Sequence, residues 1–113
     1  MQIMTAAELL QKYVLLHNYG VETGDFGPML ELFADDAVFE FENPRIGTFW
    51  GVKIIAGVFR RQQPDSMLVI SNIEDRGEAA RADYGDEANA TVRQGTITID
   101  MENGRIKKLF IGK

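Results

Sequence analysis

Apolar residues recur at spacings of three and four along residues 5–20, which is the pattern of an amphipathic helix. Thr5-Ala6-Ala7-Glu8 matches a capping box, in which the Thr hydroxyl and the Glu carboxylate satisfy backbone N–H groups at the helix start. Gly20 is predicted to end this helix, and a loop over residues 21–24 follows. The side chains that share the apolar face are Leu10, Tyr13, Val14 and His17.

A second helix is predicted to begin at Asp25, a favourable N-cap residue, and to end at residues 34–36. Pro28 fits its first turn, where the missing N–H group has no intrahelical partner to lose. Its inward side chains are predicted to be Phe26, Met29, Leu30 and Phe33.

From residue 37 onward the hydrophobic period changes to two, which predicts a half-buried strand. Phe39 and Phe41 are expected on its inner face, and Glu40 and Glu42 on the exposed face. After a break at Asn43-Pro44, residues 46–50 return as a short extended segment. Gly51 then opens a third helix that ends near Pro64 and turns Ile54, Ile55, Val58 and Phe59 inward.

The second half of the chain predicts four strands joined by tight turns, near residues 67–74, 79–84, 90–101 and 105–111. Asn103-Gly104, between two alternating runs, is the strongest hairpin signal. Helices precede strands instead of alternating with them, which favours an α+β fold. A length of 113 residues predicts one domain over residues 1–113.

Composition narrows the partners that we expect. Lys and Arg number 12 against 17 Asp and Glu, giving a net charge of −5, and the only adjacent basic pairs are Arg60-Arg61 and Lys107-Lys108. Nucleic acid and anionic membranes are therefore not expected partners, because both need a concentrated basic surface. Without a membrane-length apolar run or a signal-peptide pattern, the expected location is cytoplasmic. One histidine and no cysteine predict no metal site, and no motif predicts a cofactor.

Several segments resemble the nuclear transport factor 2-like superfamily: Gly24-Asp25-Phe26, Leu32 to Glu40, and the glycines at 47 and 51 ahead of a helix. Within it, SnoaL-like polyketide cyclases and ketosteroid isomerases are the most similar groups. The resemblance implies a strongly curved, mostly antiparallel mixed sheet wrapped around the three helices. This cone-shaped fold has one pocket, open to a small apolar molecule.

A homodimer is also expected, since many members of the superfamily pair through the outer face of the sheet. The sequence supplies a second reason, because the strands carry more apolar side chains than three helices can cover, and a two-fold pairing commonly buries such a face. The residues in question are Val69, Ile97, Ile99, Leu109 and Ile111.

Candidate catalytic residues follow from the resemblance to the isomerases. Residues 11–14 resemble the stretch that carries their oxyanion-hole tyrosine, which implies Tyr13 as a donor, and His17 lies one turn away as a proton shuttle. The same alignment places Phe41 at the general-base position and residues 96–98 at the second acid, with Asp100 as a substitute if the register slips. One of the three expected groups is present. The alternative is that Tyr13 and His17 are core residues.

Aromatic residues are the candidate ligand-binding set. Together with Tyr13 they either line an apolar chamber or fill it, since protein interiors close-pack. Three functions stay open: a cofactor-independent isomerase, cyclase or dehydratase acting on a small apolar carbonyl compound, a non-catalytic binding module, and a dimeric interaction domain with a vestigial pocket. The predicted ligand-binding residues are Phe39, Phe41, Trp50 and Phe59.

Overall fold

The computed structural model describes residues 4–86 and 93–113 of the chain. These residues form three helices and six strands, which confirms the α+β prediction. The elements are α1 (Ala6–Thr23), α2 (Gly27–Leu30), β1 (Phe33–Phe41), β2 (Thr48–Trp50), α3 (Val52–Arg61), β3 (Leu68–Asp75), β4 (Ala79–Asp86), β5 (Gly95–Glu102) and β6 (Arg105–Gly112).

The six strands form one mixed sheet in the order β2-β1-β6-β5-β4-β3. Only β1 and β6 pair in parallel among these strands, so the sheet is mostly antiparallel, as predicted. Register shifts interrupt three of the strand pairs, and such bulges bend and twist strands. The curved sheet contacts α1 along β3, β4 and β5 and contacts α3 along β1 and β2, which produces the cone.

Helix α1 begins as predicted and ends later than predicted. The Thr5 hydroxyl accepts from the Glu8 N–H and the Glu8 carboxylate accepts from the Thr5 N–H, which confirms the capping box. The predicted end at Gly20 is wrong, because the helix continues to Thr23 and is capped by Gly24 with a φ of 81°. At Gly20 a Cβ atom would collide with the ring of Phe26, so this glycine makes room for a neighbour and does not end the helix.

Helix α2 is a single turn, and the prediction that it reaches residues 34–36 is wrong. Its predicted start at Asp25 is also wrong, because the helix begins at Gly27 with Phe26 as its N-cap, and the Asp25 carboxylate accepts from the Gly27 N–H at 2.9 Å just ahead of the helix. Phe33 already belongs to β1, because β6 lies alongside it and the Ile106 N–H donates to the Leu32 carbonyl at 2.8 Å. A partner 74 residues away in the chain thus decides where the helix ends.

The predicted faces of β1 are confirmed, and those of α3 are confirmed in part. Phe39 is buried and Phe41 half-buried, whereas Glu42 is exposed. Glu40 lies half-buried on the outer face, where its carboxylate is 3.0 Å from the Lys108 ammonium. In α3, Ile55 and Phe59 are buried and Val58 is half-buried, but Ile54 is exposed.

The later strands and turns lie close to their predicted positions. Asn103 and Gly104 have φ values of 54° and 76°, which a primed two-residue hairpin turn requires. Residues 90–92 of the predicted third strand lie outside the described residues.

Most of the apolar strand residues predicted to form a dimer surface do not lie free on the sheet. Ile97, Ile99 and Leu109 are fully buried, because they face the core beneath the helices. Val69 and Ile111 are half-buried, so this reason for a homodimer is wrong for three of the five residues, and the homodimer stays a prediction.

Candidate functional site

Aromatic rings occupy the space between the helices and the sheet. Eight rings of the described residues form a continuous series, with neighbouring centroids 4.7 to 6.4 Å apart. The interior of the cone is therefore packed around these side chains. In order of contact, the rings belong to Phe33, Tyr13, His17, Phe26, Phe59, Phe39, Phe41 and Phe49.

Tyr13 and His17 are brought together in this series, with ring centroids 6.1 Å apart. Tyr13 is 2% exposed, and burial raises the pKa of its phenol, which therefore stays protonated. Burial lowers the pKa of His17, partly offset by the contact of its Nδ1 atom with Asn18 Oδ1 at 3.2 Å, so the imidazole is neutral near pH 7. No carboxylate within residues 4–86 and 93–113 hydrogen-bonds either side chain.

Asp100 does not join Tyr13 and His17. Ile97 and Ile99 point into the core, so the alternation of β5 turns Asp100 to the outer face, where it is exposed and lies opposite Lys108. The register shift of this hairpin falls after Asp100, between it and Met101, and so it does not turn the carboxylate inward.

Three of the four predicted ligand-binding aromatics lie together. The Phe39 ring stacks on that of Phe41 at 4.7 Å and on that of Phe59 at 6.0 Å. Trp50 is separate from this group, because it lies on the edge strand β2 opposite Val38 and is 69% exposed. An edge strand has a neighbouring strand on one side only, so its side chains are less covered. The sequence pattern did not reveal that β2 lies at the edge of the sheet.

A cavity of about 600 Å³ opens where the inner rings end, at one end of the sheet. We call it the sheet-end cavity. The ends of β1, β4 and β6 and the segment before β5 supply its walls, and the loop after β1 completes it. Its apolar and aromatic lining is Phe41, Pro44, Ile46, Tyr84 and Ile111, and its polar lining is Glu42, Asn43, Gln94 and Lys113.

The polar groups of the sheet-end cavity have defined partners. The Glu42 carboxylate accepts from the Lys113 backbone N–H at 2.7 Å, and the Gln94 amide donates to the Asp86 carboxylate at 2.7 Å. Burial raises the pKa of the Tyr84 phenol, so this side chain is a neutral donor. The cavity thus combines an apolar wall, a carboxylate and a phenol.

Sequence reasoning missed Glu42 and Tyr84 as site residues. It assigned Glu42 to the outer face by alternation, but β1 ends at Phe41, and beyond that residue both faces reach the same cavity. The break at Asn43-Pro44 was the one local signal that alternation stops there. For Tyr84 no local signal existed, because its place depends on pairing with Ile70 and Gly95.

Two other kinds of feature are absent from residues 4–86 and 93–113. Among the described residues, no group of three His, Cys, Asp or Glu side chains is arranged to hold a metal ion. No helix in this part of the chain combines the length and the apolar character needed to cross a membrane.

Comparison with known proteins identifies the fold. No protein-family profile matches the chain, and no curated protein matches it. A protein from Kribbella flavida, provisionally assigned as a ketosteroid isomerase, superimposes with a TM-score of 0.70 at 16% identity, over 98% of this chain and 83% of that one.

Two further solved structures agree. An NTF2-like protein of unknown function from Cytophaga hutchinsonii has a TM-score of 0.71 at 13% identity, over 98% of this chain and 92% of that one. A protein from Sinorhizobium meliloti, provisionally assigned as a polyketide cyclase, has a TM-score of 0.61 at 24% identity, over 88% and 93%. The chain therefore has the nuclear transport factor 2-like fold, a curved α+β cone.

Proposed function

We propose that the protein binds a small apolar molecule in the sheet-end cavity without converting it. The observation that carries this proposal is the composition of the cavity wall, in which Phe41, Tyr84 and Ile111 face a space of about 600 Å³. Small-molecule sites are concave, mostly apolar and roughly 300–1,000 Å³ in volume, with a few polar groups that orient the ligand.

The position of Tyr13 and His17 supports binding over catalysis. Both side chains are buried among other rings, and neither lines this cavity. Their contacts on both sides are aromatic, with Phe33 beside Tyr13 and Phe26 beside His17. A packed phenol and imidazole of this kind stabilise the core, and the ligand is expected at the end of the ring series where Phe41 is half-buried.

Titration with N-phenyl-1-naphthylamine, an uncharged dye that fluoresces in apolar surroundings, tests the binding proposal. The wild-type protein is expected to bind it, and Gln94→Trp is expected to abolish binding, because Gln94 is an exposed residue of the cavity lining and a larger side chain there fills the space. Tyr13→Phe, which changes a residue outside this cavity, is expected to leave the dissociation constant unchanged.

Circular dichroism of both variants shows whether each is folded before its affinity is interpreted. Absence of dye binding to the folded wild-type chain would contradict the proposal. So would a Tyr13→Phe variant that loses affinity while Gln94→Trp retains it, since that result would put the ligand in the core.

A proton-transfer enzyme is the second candidate, because Glu42 and Tyr84 line the same cavity. A carboxylate base and a neutral phenol donor are the two groups that isomerisation, cyclisation or dehydration of an apolar carbonyl compound needs. Glu42 would take the proton from the carbon beside the carbonyl group, and Tyr84 would donate a hydrogen bond to the enolate oxygen that develops. In this interpretation, Glu42 and Tyr84 replace the predicted catalytic residues Tyr13, His17 and Asp100.

Proton exchange at the methyl group of 2-acetonaphthone in D2O, followed by NMR, tests the enzyme candidate. Glu42→Gln is expected to remove the protein-dependent exchange, and Tyr84→Phe to slow it by about 10²–10³-fold, the usual cost of one oxyanion donor. Glu40→Gln is the matched control, because Glu40 lies two residues away on the outer face beside Lys108. If the wild-type chain binds ketones yet does not accelerate exchange, the protein is a binder.

A further inference from the structure

A second cavity, of about 500 Å³, lies between the loop after β1 and the end of α3. We call it the arginine cavity. Its residues come from three parts of the chain: the loop after β1, strand β2, and the last turn of α3 with the residue that follows. They are Arg45, Ile46, Phe49, Val58, Arg61 and Gln62.

The charges of this cavity are not neutralised by the protein. No acidic side chain of the described residues pairs with Arg45 or Arg61, although the chain carries a net charge of −5. Elsewhere among the described residues, an Asp or Glu pairs with each of Arg76, Arg81 and Arg93. Arg60 also lacks an acidic partner among these residues, but it does not line the cavity, so Arg45 and Arg61 are the two unpaired guanidinium groups that meet there.

The position of α3 accounts for one of the two arginines only. Arg61 lies in the last turn of α3, where a cation interacts favourably with the helix dipole, and Arg60 has the same property. Arg45 belongs to a different element, the turn in which its backbone N–H donates to Asn43 Oδ1 at 3.0 Å. Helix stability therefore does not explain why Arg45 also lies at this cavity.

Apart from Gln62, the remaining lining is apolar. Phe49 and Val58 are half-buried, and the Phe49 ring packs edge-on against that of Phe41 at 6.4 Å, which fixes its position. A cavity with an apolar wall and two guanidinium groups is complementary to an apolar molecule that carries one anionic group. Arginine binds a carboxylate through two parallel hydrogen bonds, because its planar fork matches the two oxygens.

A third cavity with one arginine shows the contrast. Arg105 lines a space of about 510 Å³ beside α1 and α2, but its guanidinium already donates to the Glu31 carbonyl at 2.9 Å. Glu31 also lines that cavity and would repel an anion. The arginine cavity has neither feature.

We infer that the arginine cavity binds a small apolar carboxylate, whose carboxylate group is held by Arg45 and Arg61 and whose body lies on Phe49 and Val58. This site is distinct from the sheet-end cavity, although Ile46 lines both.

Calorimetric titration of the full chain with 2-naphthoate tests the inference, with uncharged 2-naphthamide as the matched ligand. The carboxylate is expected to bind at least about ten-fold more tightly than the amide, and Arg45→Gln and Arg61→Gln are each expected to weaken its binding by about ten-fold or more. Arg60→Gln is the control, because Arg60 is the neighbouring charge on α3 and does not line the cavity. Its affinity is expected to match that of the wild type.

Four results would overturn the inference. Equal affinity for the amide would show that charge is not recognised, and an equal loss on Arg60→Gln would show a non-specific attraction to the basic end of α3. Tighter binding of 2-naphthyl phosphate would make the site one for phosphates. The Gln94→Trp variant separates the two cavities: it is expected to leave naphthoate affinity unchanged, and loss of that affinity would place the anion in the sheet-end cavity.

Discussion

Two glycines within helices show that the effect of a glycine-to-alanine change on stability depends on the neighbouring side chains. Alanine normally stabilises a helix over glycine by about 1 kcal/mol. At Gly20 this gain is opposed by the ring of Phe26, whose Cγ atom would lie 2.7 Å from an added Cβ. At Gly57 the nearest atoms are 3.8 Å away, on the Arg61 guanidinium.

Gly20→Ala is therefore expected to lower the free energy of unfolding by about 1–3 kcal/mol, the usual cost of overpacking. Gly57→Ala is expected to raise it by about 0.5–1 kcal/mol, since only the helical preference acts there. Urea unfolding of both variants checks the opposite signs. A stabilised Gly20→Ala variant would contradict the position of Phe26.

His17, the one histidine of the chain, makes stability depend on pH. Its pKa is about 6.5 in an unfolded chain, and burial lowers it in the folded protein. Between these two values the unfolded state binds more protons, so acidification favours unfolding. The contribution of the buried neutral imidazole is complete above about pH 7 and is lost as the pH falls through 6.5 toward the folded pKa.

The expected slope is at most about 1.4 kcal/mol per pH unit, in the free energy of unfolding measured from about pH 7.5 to 5.5. A His17→Gln variant is expected to give a flatter curve over this range, because it has no imidazole to protonate. Parallel curves for the two proteins would show that His17 does not bind more protons after unfolding.

Local chemistry explains which single residues could be predicted. The capping box at Thr5 and the hairpin at Asn103-Gly104 involve atoms at most three residues apart, and both were predicted correctly. The role of Gly20 depends on Phe26, and that of Tyr84 depends on strands far along the chain. The candidate site was accordingly predicted only in part: Phe41 lines the sheet-end cavity, whereas Glu42 and Tyr84 were found from the structure.

At the scale of elements, the Asn18 side chain joins α1 to the edge strand β3 through two hydrogen bonds. The Asn18 amide donates to the Leu68 carbonyl at 3.0 Å, and its oxygen accepts from the Leu68 N–H at 2.8 Å. The two groups lie 50 residues apart in sequence and are partly buried. This pair of bonds sets where the strand begins relative to the helix.

Asn18→Ala is expected to lower the free energy of unfolding by about 1–3 kcal/mol, because both backbone groups of Leu68 lose their partner. Asn18→Asp keeps the acceptor and loses the donor, so an intermediate loss is expected. Urea unfolding measures both, and hydrogen exchange at the Leu68 amide is expected to become faster in the alanine variant. An unchanged exchange rate would mean that water or another group protects this amide equally well.

The boundary between α2 and β1 shows why the order of elements was easier to predict than their ends. Apolar spacing indicated a helix through residue 36, and nothing local contradicts it. The parallel partner β6, however, pairs with Phe33 and so extends β1 toward α2. Periodicity reports which residues are apolar, whereas pairing with a distant strand decides their backbone conformation.

At the scale of the whole molecule, assembly stays a prediction. We expect a homodimer, and since Ile97 and Leu109 are buried, we place its contact on the outer face of the sheet. Val38 and Trp50 lie opposite each other on that face. An isologous pairing through them would bury the most exposed large apolar side chain of the described residues.

Light scattering at tens of micromolar is expected to give twice the mass of one chain. Trp50→Lys is expected to give the monomer mass, because a charge at the centre of an apolar contact is costly to bury. Ile54→Lys is the control, since Ile54 is also exposed but belongs to α3. A monomeric wild type would contradict the prediction, and dissociation of both variants would place the contact nearer α3.

The exposure of Trp50 also has an optical consequence, because it is the one tryptophan of the chain. An indole that is 69% exposed already fluoresces from water, so unfolding changes its emission colour little. Burial by a second chain, in contrast, would shift the emission toward the blue. The emission wavelength of Trp50 therefore responds to association of two chains and is almost insensitive to unfolding. Diluting the protein while recording this wavelength would follow association without any added label.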